Sequence, residues 1–282
     1  MPVERLLFQG DIVKIGRFDC PSNHACFART SPLNNNLFVV THEALWWRRD
    51  EGDFRFAGPG TALLHRQGRQ VERREVVIRG DLSDWYAIRQ DLFEETLQRY
   101  RLDEQDVTER TRSWVTSPAF RFQESQLVSR LQNNDVTALE IEETSLMLFE
   151  QVCQGLSSHQ PEHSSSNTTT IRRQRLVDRT RFLLDSLDYE TDADDQSLGL
   201  NDIAQMVGAS AYHLCRVFRA ECGMSLHAYR LGQKLGRALK MMRSGRQDLT
   251  VLAQDLGFSS HSHFTRVFRQ HMGDVPSRFN SV

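Results

Sequence analysis

Along the first third of the chain, apolar residues come in short runs with turn residues between them. The runs occupy positions 12–18, 37–41, 45–47, 61–64, 76–78 and 85–88, and the breaks at 19–23, 34–36, 50–53, 58–60 and 79–81 are rich in Gly, Pro, Asn and Asp. Strands at roughly 8–12-residue spacing with such punctuation predict a small antiparallel sandwich or barrel. After Pro118 the period changes. Phe122, Leu127, Val128 and Leu131 fall near helical spacing, as do Ile141, Ser145, Leu148, Val152 and Leu156 behind Asp135, the expected N-cap. Leu139, Leu146, Phe149 and Cys153 add a second stripe to that helix, so its apolar surface must be buried under the β domain or against a second copy of the chain. Residues 155–170, GLSSHQPEHSSSNTTT, offer almost nothing to a core. The reading divides the chain into a domain at 1–156, a flexible linker at 157–170 and a second domain at 171–282. That second domain starts with a helix at about 171–187 carrying Leu176, Val177, Thr180, Leu183 and Leu184, followed by an acidic loop at 188–195.

In the tail one pattern occurs twice: LNDIAQMVGASAYHLCRVFRAECG at 200–223 and LTVLAQDLGFSSHSHFTRVFRQHMG at 249–273. Ala204 aligns with Ala253, Gly208 with Gly257, Ser210 with Ser259, and, after a one-residue offset, Leu214 with Phe264, Phe218 with Phe268 and Gly223 with Gly273. Each copy predicts a short helix, a turn through glycine, and a second helix opened by serine and closed by glycine. Leu214, Val217 and Phe218, and Phe264, Val267 and Phe268, lock the second helix onto the first. Its opposite face stays polar, and such a face lies in the major groove of DNA. Two ordinary helical hairpins would explain the apolar positions but not the arginines repeated after them, Arg216 with Arg219 and Arg266 with Arg269.

Residues 200–280 resemble the paired helix-turn-helix domain of the AraC/XylS family of bacterial transcription regulators, most specifically in the stretch GFSSHSHFTRVFRQHMGDVPSRF with its Pro276. The resemblance implies an α+β fold. A cupin-like antiparallel β barrel with a helical dimerisation pair comes first, then an all-α domain whose two helix-turn-helix motifs are joined by a long helix. Carried over by position, it implies base contacts from Tyr212, Cys215 and Arg216 in the first recognition helix and from His261, Ser262, Thr265 and Arg266 in the second. Arginine suits guanine's two acceptors, and Ser, Thr and His pair with several base edges. Phosphate contacts fall to Ser210, Ser260, Arg219, Arg269, Lys234 and Arg243. The joining helix departs from the family pattern at Lys234, where arginine is usual, and at Gly232 and Gly236, each costing ~1 kcal/mol relative to alanine. The C-terminal arginine of the pattern is Asn280 here. The implied partners are double-stranded DNA, a small-molecule effector, RNA polymerase if the protein is an activator, as the family habit has it, and a second copy of the chain.

Charge agrees with a nucleic-acid partner for the tail alone. The 282-residue chain has a net charge of −2, but residues 196–282 hold 11 Lys+Arg against 5 Asp+Glu, so the tail is +6 and the rest −8. With no apolar run of membrane length and no leader pattern, a cytoplasmic protein without membrane contact is expected. Its cysteines, Cys20, Cys26, Cys153, Cys215 and Cys222, are then free thiols. Cys20, His24 and Cys26 form a C-x3-H-x-C run that lacks a spaced fourth ligand, since no rule places His42, so no metal or other cofactor is assigned. The alternative reading is an enzyme or Cys-based DNA-repair module, a catalytic β barrel fused to the same tail. Neither a Ser/His/Asp nor a phosphate-loop constellation supports it, and the cupin metal signature is missing around His65 and Glu75. In the strand region, which also holds Trp85 and Arg48, the aromatic residues Trp46, Trp47 and Tyr86 with His65 are the candidates for an effector pocket, the alternative being that the inward aromatics simply fill the core; only one of Trp46 and Trp47 can face the barrel interior.

Overall fold

The computed structural model describes residues 4–28, 31–76, 80–102, 113–158, 167–190, 198–243, 245 and 248–279. Six strands form one antiparallel sheet in the order β1-β2-β9-β4-β7-β10: β1 Glu4–Gln9, β2 Val13–Cys20, β4 Leu37–Thr41, β7 Thr61–His65, β9 Asp81–Ile88 and β10 Ser113–Val115. A four-stranded sheet, β3-β8-β5-β6, is made of β3 Ser31–Pro32, β8 Gln70–Glu75, β5 Leu45–Arg49 and β6 Arg55–Ala57.

Alternation along the strands gives the large sheet two buried faces. Val13, Ile15, Phe38, Val40, Ala62, Leu64, Tyr86 and Ile88 form one of them. It is covered by Phe93 and Leu97 of α1 (Gln90–Arg99), Phe120 and Leu127 of α2 (Pro118–Gln132), and Leu148, Phe149 and Val152 of α3 (Ala138–Ser158). On the opposite face Val39 and Leu63 meet Leu45, Trp47 and Ala57 of the small sheet. Both apolar stripes of α3 are largely consumed inside this one chain, because the helix lies in a groove between sheet and helices. Leu139 and Met147 alone of its large apolar side chains remain exposed.

Several expectations are corrected. The strand expected at 76–78 is instead Gln70–Glu75, a charged strand; 77–78 lie outside the described residues. Its arginines bond carboxylates, Arg73 to Asp81 and Arg74 to Glu72, so hydrophobicity gave no sign of it. Helix α1 shows only Phe93, Thr96 and Leu97 as buried positions, too short a stripe to be read from the pattern. Asp135 does not cap α3. Thr137 does, its hydroxyl accepting the Glu140 amide while the Glu140 carboxylate accepts the Thr137 amide, a reciprocal capping box. Of the expected linker, 157–158 end α3 and 167–170 begin α4 (Asn167–Glu190), while 159–166 lie outside the described residues.

The tail is helical: α5 Leu200–Met206, α6 Ala211–Cys222, α7 Leu226–Arg243, α8 Leu249–Asp255 and α9 His261–Met272. Two cores result. Val177, Leu184, Ile203, Ala204, Leu214, Val217 and Phe218 pack in the first, and Leu235, Leu239, Leu252, Ala253, Phe264 and Phe268 in the second. Each takes in one residue of the β domain, Val115 in the first and Phe122 in the second. The halves are thus docked, which a freely tethered tail would not be. No helix of the described residues is long and apolar enough to cross a membrane.

Candidate nucleic-acid interface

The two recognition helices, α6 and α9, are built alike. Ser210 and Ser260 are their N-caps, each hydroxyl accepting the amide three residues on, from His213 at 3.3 Å and His263 at 3.1 Å. The equivalence is therefore Ser210 with Ser260, and the one-residue offset lies in the turn: Phe258 donates to Ala253 as Ala209 does to Ala204, both at 2.9 Å, and Ser259 is the additional residue. Each hydroxyl keeps its own hydrogen for a phosphate oxygen beside the free amides of the first turn. Gly223 (φ 70°) and Gly273 (φ 83°) close the helices in the left-handed conformation, donating to the carbonyls of Arg219 and Arg269 at 2.9 Å. Gly208 and Gly257 give the turns their positive φ of 70° and 68°.

Counting from the caps, Tyr212 falls with Ser262, Cys215 with Thr265, Arg216 with Arg266 and Arg219 with Arg269. Tyr212, Cys215, Arg216 and Arg219 are exposed along one side of α6, Tyr212 at 80%. On α9, His261, Ser262, Arg266 and Arg269 are exposed and Thr265 half-buried, its hydroxyl 3.4 Å from His261 Nε2. Hydroxyl, imidazole, phenol and guanidinium groups are thus presented on two like faces, a set suited to base edges and phosphates.

Helix α7, which joins the motifs, is gripped by the β domain. The buried Arg121 of α2 donates to the Gly232 carbonyl at 3.0 Å, to Gln233 Oε1 at 3.1 Å and, through Nε, to Thr116 at 3.2 Å. Gly60 and Gly236 leave room for its side chain. Of the two helix glycines, Gly236 is where the joining helix approaches Arg121 closely. Nearby, buried Arg181 of α4 donates to the Phe56 carbonyl at 3.2 Å and to Thr61 at 2.6 Å, and Arg55 pairs with Asp178 at 2.6 Å. Asp185 accepts from Tyr229 at 3.1 Å and from Gln233 at 2.9 Å. At the far end of α7, Lys240 pairs with Glu43 and Arg243 donates to Ser125 at 3.1 Å. Arg243, expected on phosphate, is thus turned to the β domain in this arrangement. The half-buried Lys234 reaches the turn at Gly257, where a side chain would stand 3.1 Å from its Nζ. Asn280 lies outside the described residues.

Next to Glu43 a buried cluster links α2 to the sheet. Asp84 accepts two bonds of 2.7 Å from Arg17 and lies 2.8 Å from His42 Nε2; Glu124 of α2 is 3.6 Å from the same nitrogen and accepts from Tyr86 at 3.2 Å. Burial and the neighbouring Asp84 push the Glu124 carboxyl up to about 7. Burial works against charge on His42, but Glu124 and Asp84 outweigh it and raise its pKa. Despite burial, His42 and Arg17 hold Asp84 below the usual carboxylate range.

The four aromatic and histidine candidates do not share a pocket. Trp47 and His65 are inward neighbours, 5.4 Å apart edge to face; Trp46 faces away, against Phe56 and Phe182. Tyr86 is on the helical side of the large sheet, stacked on Phe38 at 4.6 Å. Strand alternation separates them, since sequence proximity says nothing of which sheet or face a residue occupies. Burial lowers the pKa of His65 well below its usual value, beside Arg49 and Arg73. The expectation of five free thiols is corrected at one pair: Cys20 and Cys26 are joined sulfur to sulfur, while Cys153, Cys215 and Cys222 are free. The residues that bind the halves, Arg121 and Arg181, escaped the sequence reading, as did Glu124 in the cluster under α2 and Asp185 between α4 and α7. The two glycines spaced four apart in a helix were their one visible trace.

Residues 203–281 match the family described as a helix-turn-helix domain. The chain is 36% identical over 87 residues to the uncharacterized HTH-type transcriptional regulator YfiF of Bacillus subtilis, covering 31% of this chain and 27% of that one. It is 31% identical over 90 residues to the multiple antibiotic resistance protein MarA of Escherichia coli, covering 32% of this chain and 70% of MarA. The match to YfiF therefore spans about a quarter of that relative's length. A crystal structure of ToxT from Vibrio cholerae aligns over 96% of this chain and 98% of its own at 10% identity and a TM-score of 0.41. With both motifs built on one plan, in order, on one joining helix, and with 70% of MarA matched at 31% identity, the chain belongs to the AraC/XylS family of transcription regulators.

Proposed function

We propose that the protein is a sequence-specific DNA-binding transcription regulator, in which α6 and α9 read neighbouring major-groove segments and the β domain governs how they are presented. The observation that carries this is the repeated face: Tyr212, Cys215, Arg216 and Arg219 on one helix, Ser262, Thr265, Arg266 and Arg269 at the same distances from the cap on the other. Ordinary helical packing gives no reason for that correspondence on an exposed side. The tail's charge of +6 supports a polyanion as partner.

The same reading makes the protein a cytoplasmic, non-enzymatic regulator, working as an activator through RNA polymerase. A small effector acts through the β domain, with Trp47 and His65 as the inward-facing residues toward it. A second copy would meet the exposed Leu139 and Met147 side of α3. Contacts from α2, β6 and the turn after β4 to α4 and α7 offer the route by which an effector alters DNA binding.

The test is the full-length chain on genomic fragments selected by its own retention, titrated by fluorescence anisotropy at several salt concentrations. Tight binding to selected fragments, weaker binding to scrambled ones and affinity falling steeply with salt are expected. Binding that ignores sequence or salt refutes the reading.

A further inference from the structure

Cys20 is the last residue of β2, Cys26 lies in a 3-10 helix, Ala25–Ala28, and their sulfurs are bonded to each other. The bond ties the two sheets together at one end of the β domain. Cys20 pairs in register with Asp81 of β9 in the large sheet, whereas the 3-10 helix packs on β8 of the small one. Weaker ties run alongside. Asn23 of the intervening turn donates its amide to Glu75 of β8 at 3.2 Å, and His24 Nδ1 accepts the Cys26 amide at 3.2 Å. Arg73 of β8 reaches Asp81 at 3.1 Å. The cysteines stand only six positions apart, so the bond constrains the unfolded chain less than a long-loop crosslink would, and the fold does not depend on it. Access to the sulfurs is unequal: Cys20 is fully buried and Cys26 half-buried, so a thiol arriving from solvent meets Cys26 first.

We infer that the Cys20–Cys26 pair is a reversible redox site, opened and closed by exchange with small thiols and disulfides of the glutathione class, and that opening frees the 3-10 helix from the end of β2. The inference rests on the reading as a regulator working inside the cell, where a disulfide is usually transient and catalytic or redox-sensing, not a permanent staple. On opening, the thiolate of one small thiol attacks Cys26 Sγ, the sulfur–sulfur bond breaks, and Cys20 leaves as a thiolate that takes up a proton. A second small thiol attacks the outer sulfur of the mixed disulfide and releases Cys26 as a thiol. The pair gains two electrons and two protons, and two small thiols become one small disulfide. Closing is the reverse, with the small disulfide as oxidant.

The experiment equilibrates the full-length chain with reduced and oxidised glutathione in varied ratio, traps thiols by alkylation and maps them by mass. One tryptic peptide, residues 18–29, carries both cysteines and so reads the pair apart from Cys153, Cys215 and Cys222. Excess reduced glutathione should open the pair, and added oxidised glutathione should close it again. Hydrogen exchange should rise on opening at residues 21–28 and in β8, while α3 stays protected. In oxidised glutathione, Cys20→Ser should collect a mixed disulfide on Cys26, whereas Cys26→Ser, left with the buried Cys20, should collect none in that peptide. If Cys20→Ser fails to fold, reversibility and hydrogen exchange of the parent chain still decide. The inference is overturned by a pair that stays bonded in excess reduced glutathione, by one that stays open in oxidised glutathione, by hydrogen exchange that is the same in both states, or by an adduct on Cys20 in place of Cys26. None of these readouts involves DNA, so failure here is distinct from failure of the regulator reading.

Discussion

The guanidinium of Arg121 donates to the main-chain carbonyl of Gly232 at 3.0 Å, 111 residues away in sequence, and so ties the β domain to the helix between the two helix-turn-helix motifs. A cation buried this deeply holds its place because the Gly232 carbonyl, the Gln233 side chain and the Thr116 hydroxyl accept its hydrogens. Burial lowers its pKa, and the coulombic pull of Tyr229 and Asp185 partly offsets that cost.

The two glycines of α7 should respond oppositely to alanine. A methyl at Gly232 would meet Pro118 at 3.9 Å and Arg121 at 4.0 Å, ordinary contact, so Gly232→Ala should gain up to about 1 kcal/mol of helix propensity. At Gly236 the methyl would stand 3.0 Å from Arg121 Nη1, so Gly236→Ala should gain nothing and loosen the docking. Urea unfolding of both variants measures the first effect, and limited proteolysis across the domain contact the second.

Readers and holders of DNA should separate on α9. Arg266→Ala should cost ~1–3 kcal/mol and relax preference at one base position, whereas Arg269→Ala should weaken all sequences about equally and flatten the salt slope. Equal losses with unchanged sequence preference would show that α9 is faced wrongly. Binding curves on a panel of single-base operator variants decide.

The cluster around His42 should make stability fall with rising pH. Glu124, at about 7 in the fold, keeps a proton that the unfolded chain loses near its ordinary value, so the folded state loses its advantage as pH climbs through that window. His42, raised above its usual value, adds the same sign at higher pH. The charged and titrating groups facing them are Arg17, Asp84, Tyr86 and Arg243, and Asp84, held low, acts only in acid. Denaturation midpoints from about pH 5 to about pH 8 should decline for the parent chain and decline less for Glu124→Gln.

On α3 two neighbouring residues should behave differently. Leu148 is 0% exposed, inside the sheet–helix core, so Leu148→Glu should unfold the β domain, costing more than about 4 kcal/mol. Met147 is 50% exposed, so Met147→Glu should leave the fold intact and, if a second copy binds there, yield monomers. Circular dichroism and sedimentation velocity separate the two results.

The amino-acid order by itself determined the tail. Cap serines, turn glycines and apolar triplets are local signals, each enforced within a few residues, and their repetition marked both motifs and the polar faces of α6 and α9. It also determined that strands precede helices, because alternation and helical spacing are local as well. It could not show that β8 is a strand, since its charged residues carry no apolar alternation and Arg73 finds its carboxylate in Asp81 of the other sheet. Nor could it say that Trp47 and Tyr86 occupy opposite sides of the large sheet, or that Leu148 is spent inside its own chain. Those were decided by tertiary structure, as was the docking of Arg121, Arg181 and Lys240 across the two halves. The reason is physical: a charge can be buried only where distant chain segments supply its partners, and no local pattern encodes which segments will meet.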